Sequence, residues 1–218
     1  MGRVLVLIAP REPEAFGLLA LMELNASRAA ARIDAEGEPI LLLEQDRTRW
    51  DFLQVRRGLQ ALGRAQGLGG EGGYYVLQAE IIACHARAET AEATNWSRIA
   101  ALYEKLSARV RSPIIELNRA VAVGMAEGPQ AGLAIVEAIA HEPALKHYHL
   151  LPGVRGDFLQ KLGRHHEARA AFEAAAELAG NRRDRDLMRR RARGISQSGL
   201  ANGSCGPLAN PPCASAEG

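Results

Sequence analysis

Aromatic side chains are scarce in this chain, at 5% of its residues with only two tryptophans, so the composition does not favour a sheet-built core fed by Phe, Tyr and Trp. Cysteine is scarcer still. Cys84, Cys205 and Cys213 are too scattered for a disulfide framework, and a reducing cytoplasm is the expected setting. No apolar run approaches the roughly 18 residues of a membrane span. The start, Gly2 to Ala9, is apolar but short, and Pro10-Arg11-Glu12 follows where a secretory signal needs small residues for cleavage. Charge of one sign is also lacking: a net charge of +2 gives no bulk electrostatic reason to expect nucleic acid or an anionic membrane as partner.

What is present points to helices. Alanine, leucine, arginine and glutamate dominate, and 47% hydrophobic residues across 218 positions suffice for a proper core. The most informative stretch is Gly156-Asp157-Phe158-Leu159 through Leu162-Gly163-Arg164-His165-His166-Glu167-Ala168, Phe172, Ala175 and Leu178. Small residues, Gly156 and Ala168, fall where two antiparallel helices approach. Leu159, Leu162 and Phe172 fill the seam, and Gly163 supplies a turn that a side chain would obstruct. This is the pattern of one tetratricopeptide-like repeat.

Fainter copies precede it. Gly128-Pro129-Gln130 lies roughly 35 residues before the Gly163 turn, and Thr94-Asn95-Trp96 about 33 earlier again, close to the ~34-residue tetratricopeptide period. Three helix pairs are expected over 74–193: Tyr75 to Cys84 with a partner capped by Asn95, then helices opened by Pro113 and Pro129, then the pair around Gly163, and a basic helix from Arg182 to Arg193. Ahead of them, over 1–66, leading helices are expected to pack on the array. One starts at Pro13 and continues to about Arg32, and another, capped by Asp46 or Thr48, runs to about Gln66. Between these two, Ile40 to Leu43 reads equally as a strand or a buried connector. Gly67 to Gly73 is a break, and Pro143 and Pro152 frame a connector. The stretch 194–218, rich in Gly, Ser, Pro and Asn, is expected to be a disordered tail. The fold class is therefore all-α, a tetratricopeptide-like array of antiparallel helix pairs with leading helices.

Several stretches together resemble the DUF6596-type, tetratricopeptide-like C-terminal extension of one group of extracytoplasmic-function RNA polymerase sigma factors. They are Pro13 to Met22; Gln45 to Trp50; Asn95-Trp96 with Ile99, Leu102 and Tyr103; Ser112-Pro113 with Leu117 to Ala122; Gly128-Pro129; and Leu162-Gly163-Arg164 to Asn181. The likeness covers roughly residues 3 to 193 in matching order. It implies a regulatory, protein-binding domain, with RNA polymerase core or a DGPF/YCII-type protein as candidate partner. No stretch matches the sigma regions that bind the −10 and −35 promoter elements, so direct promoter binding by this chain is not expected. A gene fragment and a free-standing interaction module unrelated to transcription are both compatible with that pattern.

Two polar groups stand out as candidate partner-binding residues. Asp46, Arg47, Arg49 and Trp50 join arginine to tryptophan, the pairing enriched at binding hot spots. The alternative is a helix start in which Asp46 caps, an arginine pairs with an acid and Trp50 packs inward. Asn118 and Arg119 lie in an apolar helix, where they either meet a bound peptide or fix repeat stacking. The seven arginines between Arg182 and Arg193 fit a solvated helix closing the stack, with Leu187 and Met188 turned inward, or a contact to an acidic partner. No catalytic residue emerges: no serine, cysteine or aspartate has a base and an orienting group beside it. A metal-dependent enzyme would have to use His85, His141, His147, His149, His165 and His166, which lack the spacing of a zinc site, so no cofactor is expected.

Overall fold

A computed structural model describes residues 2–35, 37–38 and 40–195. Ten α-helices and no β-strand occur among them. They are α1 (Gly2–Ile8), α2 (Pro13–Ala26), α3 (Phe52–Gly67), α4 (Tyr74–Arg87), α5 (Trp96–Arg109), α6 (Pro113–Ala126), α7 (Pro129–Ile139), α8 (Leu150–Lys161), α9 (His165–Leu178) and α10 (Arg182–Ile195). The start signals read from the sequence act as expected at most of these helices. Prolines 13, 113 and 129 sit in first turns, where a missing N–H costs nothing, and the Asn95 side chain accepts from Arg98 N at 2.9 Å.

From α4 onward each helix packs chiefly on its neighbours in sequence, which makes the chain an all-α helical repeat array with pairs α4/α5, α6/α7 and α8/α9 closed by α10. The pair α2/α3 lays α2 along α4 and so extends the same stacking by one more layer. Helix α4 serves two sides. Val76, Ala79, Ile82 and Ala83 enter the core shared with α2 and α3, while Leu77 and Ile81 enter the one shared with α5 and α6. Buried Glu80 ties three helices, accepting from Gln66 of α3 at 3.1 Å and Arg98 of α5 at 2.7 Å.

The seam glycines behave as the repeat pattern requires. A Cβ at Gly156 would lie 2.8 Å from the Phe172 ring, and one at Gly132 would lie 2.5 Å from Phe158 and 2.8 Å from Ala120 O. Gly163 has φ +74°, a left-handed turn that a side chain would strain. Phe158 and Phe172 are accordingly among the largest fully buried side chains.

Four boundaries differ from the sequence reading. Helix α2 stops at Ala26 rather than near Arg32, because the Ser27 hydroxyl donates to Leu24 O at 2.8 Å and the chain tightens into a 3-10 turn at Ala29–Ala31. Asp46 caps only a 3-10 turn, Arg47–Arg49; the cap of α3 is Asp51, whose carboxylate accepts from Leu53 N and Gln54 N at 2.9 and 3.0 Å. Pro152 lies inside the first turn of α8 rather than in a connector, and Gly194 and Ile195 still belong to α10. The connector alternative describes Ile40 to Leu43, where a 3-10 turn at Leu42–Glu44 buries Leu42. From residue 196 the expected tail lies outside the described residues.

Candidate interaction site

The 3-10 turn Arg47–Arg49 delivers Trp50 to the junction between the end of α2 and the end of α4. Asp51 N donates to Ser27 O at 2.8 Å, which pins the turn to α2. Arg47 reaches the other way, donating from Nη1 to His85 O and to Ala88 O (2.9 Å), so its guanidinium satisfies carbonyls at the C-terminal end of α4. Trp50 is 5% exposed and packs in the α2–α3–α4 core, with Arg47 Cζ 4.9 Å and Arg28 Cζ 5.9 Å from its ring centroid. His85, also buried, meets Trp96 edge to face at 5.2 Å.

The first set of sequence candidates therefore divides. Arg47 and Trp50 come together, but Trp50 is turned inward and is not a surface hot spot. Asp46 and Arg49 remain outside. Thr48, through its hydroxyl at 2.7 Å and its amide at 2.9 Å, holds the Asp46 carboxyl below its ordinary range. Arg49 only brushes Ile33 O at 3.5 Å. The second set sits elsewhere, half-buried on α6. Arg119 pairs with Glu116 at 2.8 Å, and Glu116 also accepts from Ser107 of α5, so Arg119 belongs to a network that fixes two helices. Asn118 is half-buried beside it.

The sequence reading passed over a basic, apolar surface at the N-terminal end. On α1, Val4, Leu7 and Ile8 are 57%, 79% and 76% exposed, and on α3 Phe52 is 66% exposed. Between α1, α2 and α3 runs a groove of about 430 Å³ lined by Phe16 and Leu19 and edged by Arg3, Arg57 and Arg64. Arg3 is shared with Glu23 at 2.7 Å. The signal was available in the sequence: Arg57, Gln60 and Arg64 follow helical i, i+3, i+7 spacing on one face of α3.

The histidines are dispersed. His85 is in the core, His149 Nε2 lies 3.4 Å from Asp184, and no three His, Cys, Asp or Glu side chains gather among the described residues. Nor is any helix among the described residues long and apolar enough to cross a membrane.

Residues 1–66, the segment carrying α1, α2 and the turn at Trp50, match the model of a family of unknown function, DUF6596. An uncharacterized protein of Rhizobium meliloti (strain 1021) is 44% identical over 181 residues, which is 83% of this chain and 42% of that protein. The chain thus spans less than half the length of the curated relative it matches. No solved structure matches it.

Proposed function

We propose that these residues form a protein-binding regulatory domain of an extracytoplasmic-function RNA polymerase sigma factor, acting in the control of transcription initiation and performing no chemistry of its own. The observation that supports a binding role is the N-terminal surface. Val4, Leu7 and Ile8 keep more than half of their area in water beside an arginine-edged groove, and contiguous apolar surface with a polar rim is what protein interfaces use. The sigma-factor reading rests on the motif resemblance. The likeness of residues 1–66 to DUF6596 agrees with the extension type named in it. The partners are RNA polymerase core or a DGPF/YCII-type protein, in the cytoplasm.

Capture assays with purified RNA polymerase core and, separately, with a DGPF/YCII-type protein test this. The expected result is retention of one of them by the wild-type chain and loss of at least tenfold in affinity for Leu7→Glu combined with Ile8→Glu, with helicity unchanged. Equal retention by the wild type and the double variant would reject this surface as the interface. Absence of binding to either protein would reject the transcriptional reading.

A further inference from the structure

Arg28 is 3% exposed, and among the described residues no carboxylate lies within ion-pair distance of it or of Arg47. A buried guanidinium is ordinarily paired, because taking its charge out of water without a counter-charge costs several kcal/mol. Arg28 has instead one neutral acceptor, Asn25 Oδ1 at 3.0 Å. Arg47 is better provided on one side, where its Nη1 meets two carbonyls of α4. Both cations crowd one indole ring, and burial together with the charges of Arg32 and Arg47 pulls the Arg28 guanidinium down to about 10.

Four of the ten buried side-chain atoms without a hydrogen-bond partner among the described residues fall on this cluster. Arg28 Nε, Arg47 Nη2, Trp50 Nε1 and His85 Nδ1 are all buried with no partner among the described residues. Three of the four are obligatory donors, and the fourth becomes one in the Nδ1–H tautomer. Native interiors leave few such atoms unpaired, so several around one ring call for a shared acceptor. Two guanidinium forks with an indole N–H suit an oxyanion, whose several lone pairs take charge-assisted hydrogen bonds from more than one direction. Arg47 is the partly exposed member of the cluster.

We propose that the Arg28–Arg47–Trp50–His85 cluster, at the junction of α2 and α4, binds a small oxyanion of the carboxylate or phosphate class. Its occupancy would tie the Trp50 turn to both helices. The site is separate from the α1–α3 surface and does not depend on the regulatory reading.

The test uses the full chain, thermal unfolding and three probes at matched ionic strength: inorganic phosphate, acetate and chloride. Phosphate or acetate is expected to raise the midpoint with the logarithm of its concentration above Kd, by about 4 °C at tenfold above its Kd, with chloride well behind. The comparison of phosphate with acetate tells which oxyanion class fits. Arg28→Met is expected to weaken that anion at least tenfold. General salting effects climb in proportion to salt concentration and act equally on wild type and variant; that result would overturn the proposal. If Arg28→Met does not fold, calorimetric titration of the wild-type chain decides. Saturable heat at millimolar or tighter Kd supports the site, and no heat up to about 20 mM of either oxyanion overturns it.

Discussion

The two ends of the array solve the same problem, burying polar groups, in opposite ways. At the C-terminal end buried Asp157 of α8 pairs with Arg191 of α10, whose side chain is 10% exposed and lies 4.6 Å over the Phe172 ring. Charge, ring and glycine seam all close on one another. At the N-terminal end Arg28 and Arg47 surround Trp50 with no carboxylate in ion-pair contact among the described residues, Glu92 reaching Arg47 only through its charge, and apolar side chains of α1 stand in water. The difference lies in the counter-charge: the C-terminal end has one, although Arg191 Nη1 still lacks a hydrogen-bond partner, whereas among the described residues the arginines around Trp50 have none in contact.

Breaking the closed end should have the largest effect. Asp157→Ala strands the Arg191 guanidinium in the interior, so chemical denaturation is expected to show a loss of about 3–5 kcal/mol. Joining Asp157→Leu to Arg191→Met removes both charges and should recover most of that loss. Equal destabilisation by the single and double variants would mean that the two side chains act through packing instead of charge.

At the open end, Trp50→Ala is expected to cost about 3 kcal/mol, because the indole is buried among α2, α3 and α4. Arg49→Ala, on the outside of the same turn, should leave the unfolding midpoint where it was. This contrast separates two neighbours that the sequence alone could not tell apart. A Trp50→Ala chain as stable as wild type would return the indole to the surface.

What the sequence disclosed follows the same division. The pair α8/α9 was readable because its determinants are local: Gly156, Gly163, Ala168 and Phe172 are spaced by the helix repeat itself. Proline and asparagine starts were readable for the same reason, since each acts within one turn. The Asp46 and Asp51 caps were not distinguishable, both being acids ahead of an amphipathic run. The cationic cluster was hidden more deeply, because Arg28, Trp50 and His85 come from three separate segments and only the stacking of α2 on α4 unites them. Arg191 was hidden too. In a helix with arginines on every turn, spacing does not mark which one turns inward beside Met188 to meet Asp157.

A smaller effect than the loss of Trp50 is also the most specific to the open end, and it concerns His85. Burial first, and then the charges of Arg28 beyond the end of α2 and Arg47 from the Trp50 turn, push this imidazole down from 6.5 to about 3. In the unfolded chain the same group takes up a proton near pH 6.5, so below that pH the unfolded state binds more protons than the folded one, and stability falls with pH. The contribution is complete above pH 6.5 and is lost progressively toward pH 3, at up to about 1.4 kcal/mol per pH unit. Urea unfolding between pH 7 and pH 5 is therefore expected to show a decline of about 2 kcal/mol from this residue. His85→Leu should remove that decline whatever its effect at pH 7, because the readout is the slope and not the absolute stability. An unchanged slope in His85→Leu would mean that the imidazole protonates as readily in the folded chain as in the unfolded one. The two arginines would then carry less uncompensated charge into the core than their lack of carboxylate partners implies.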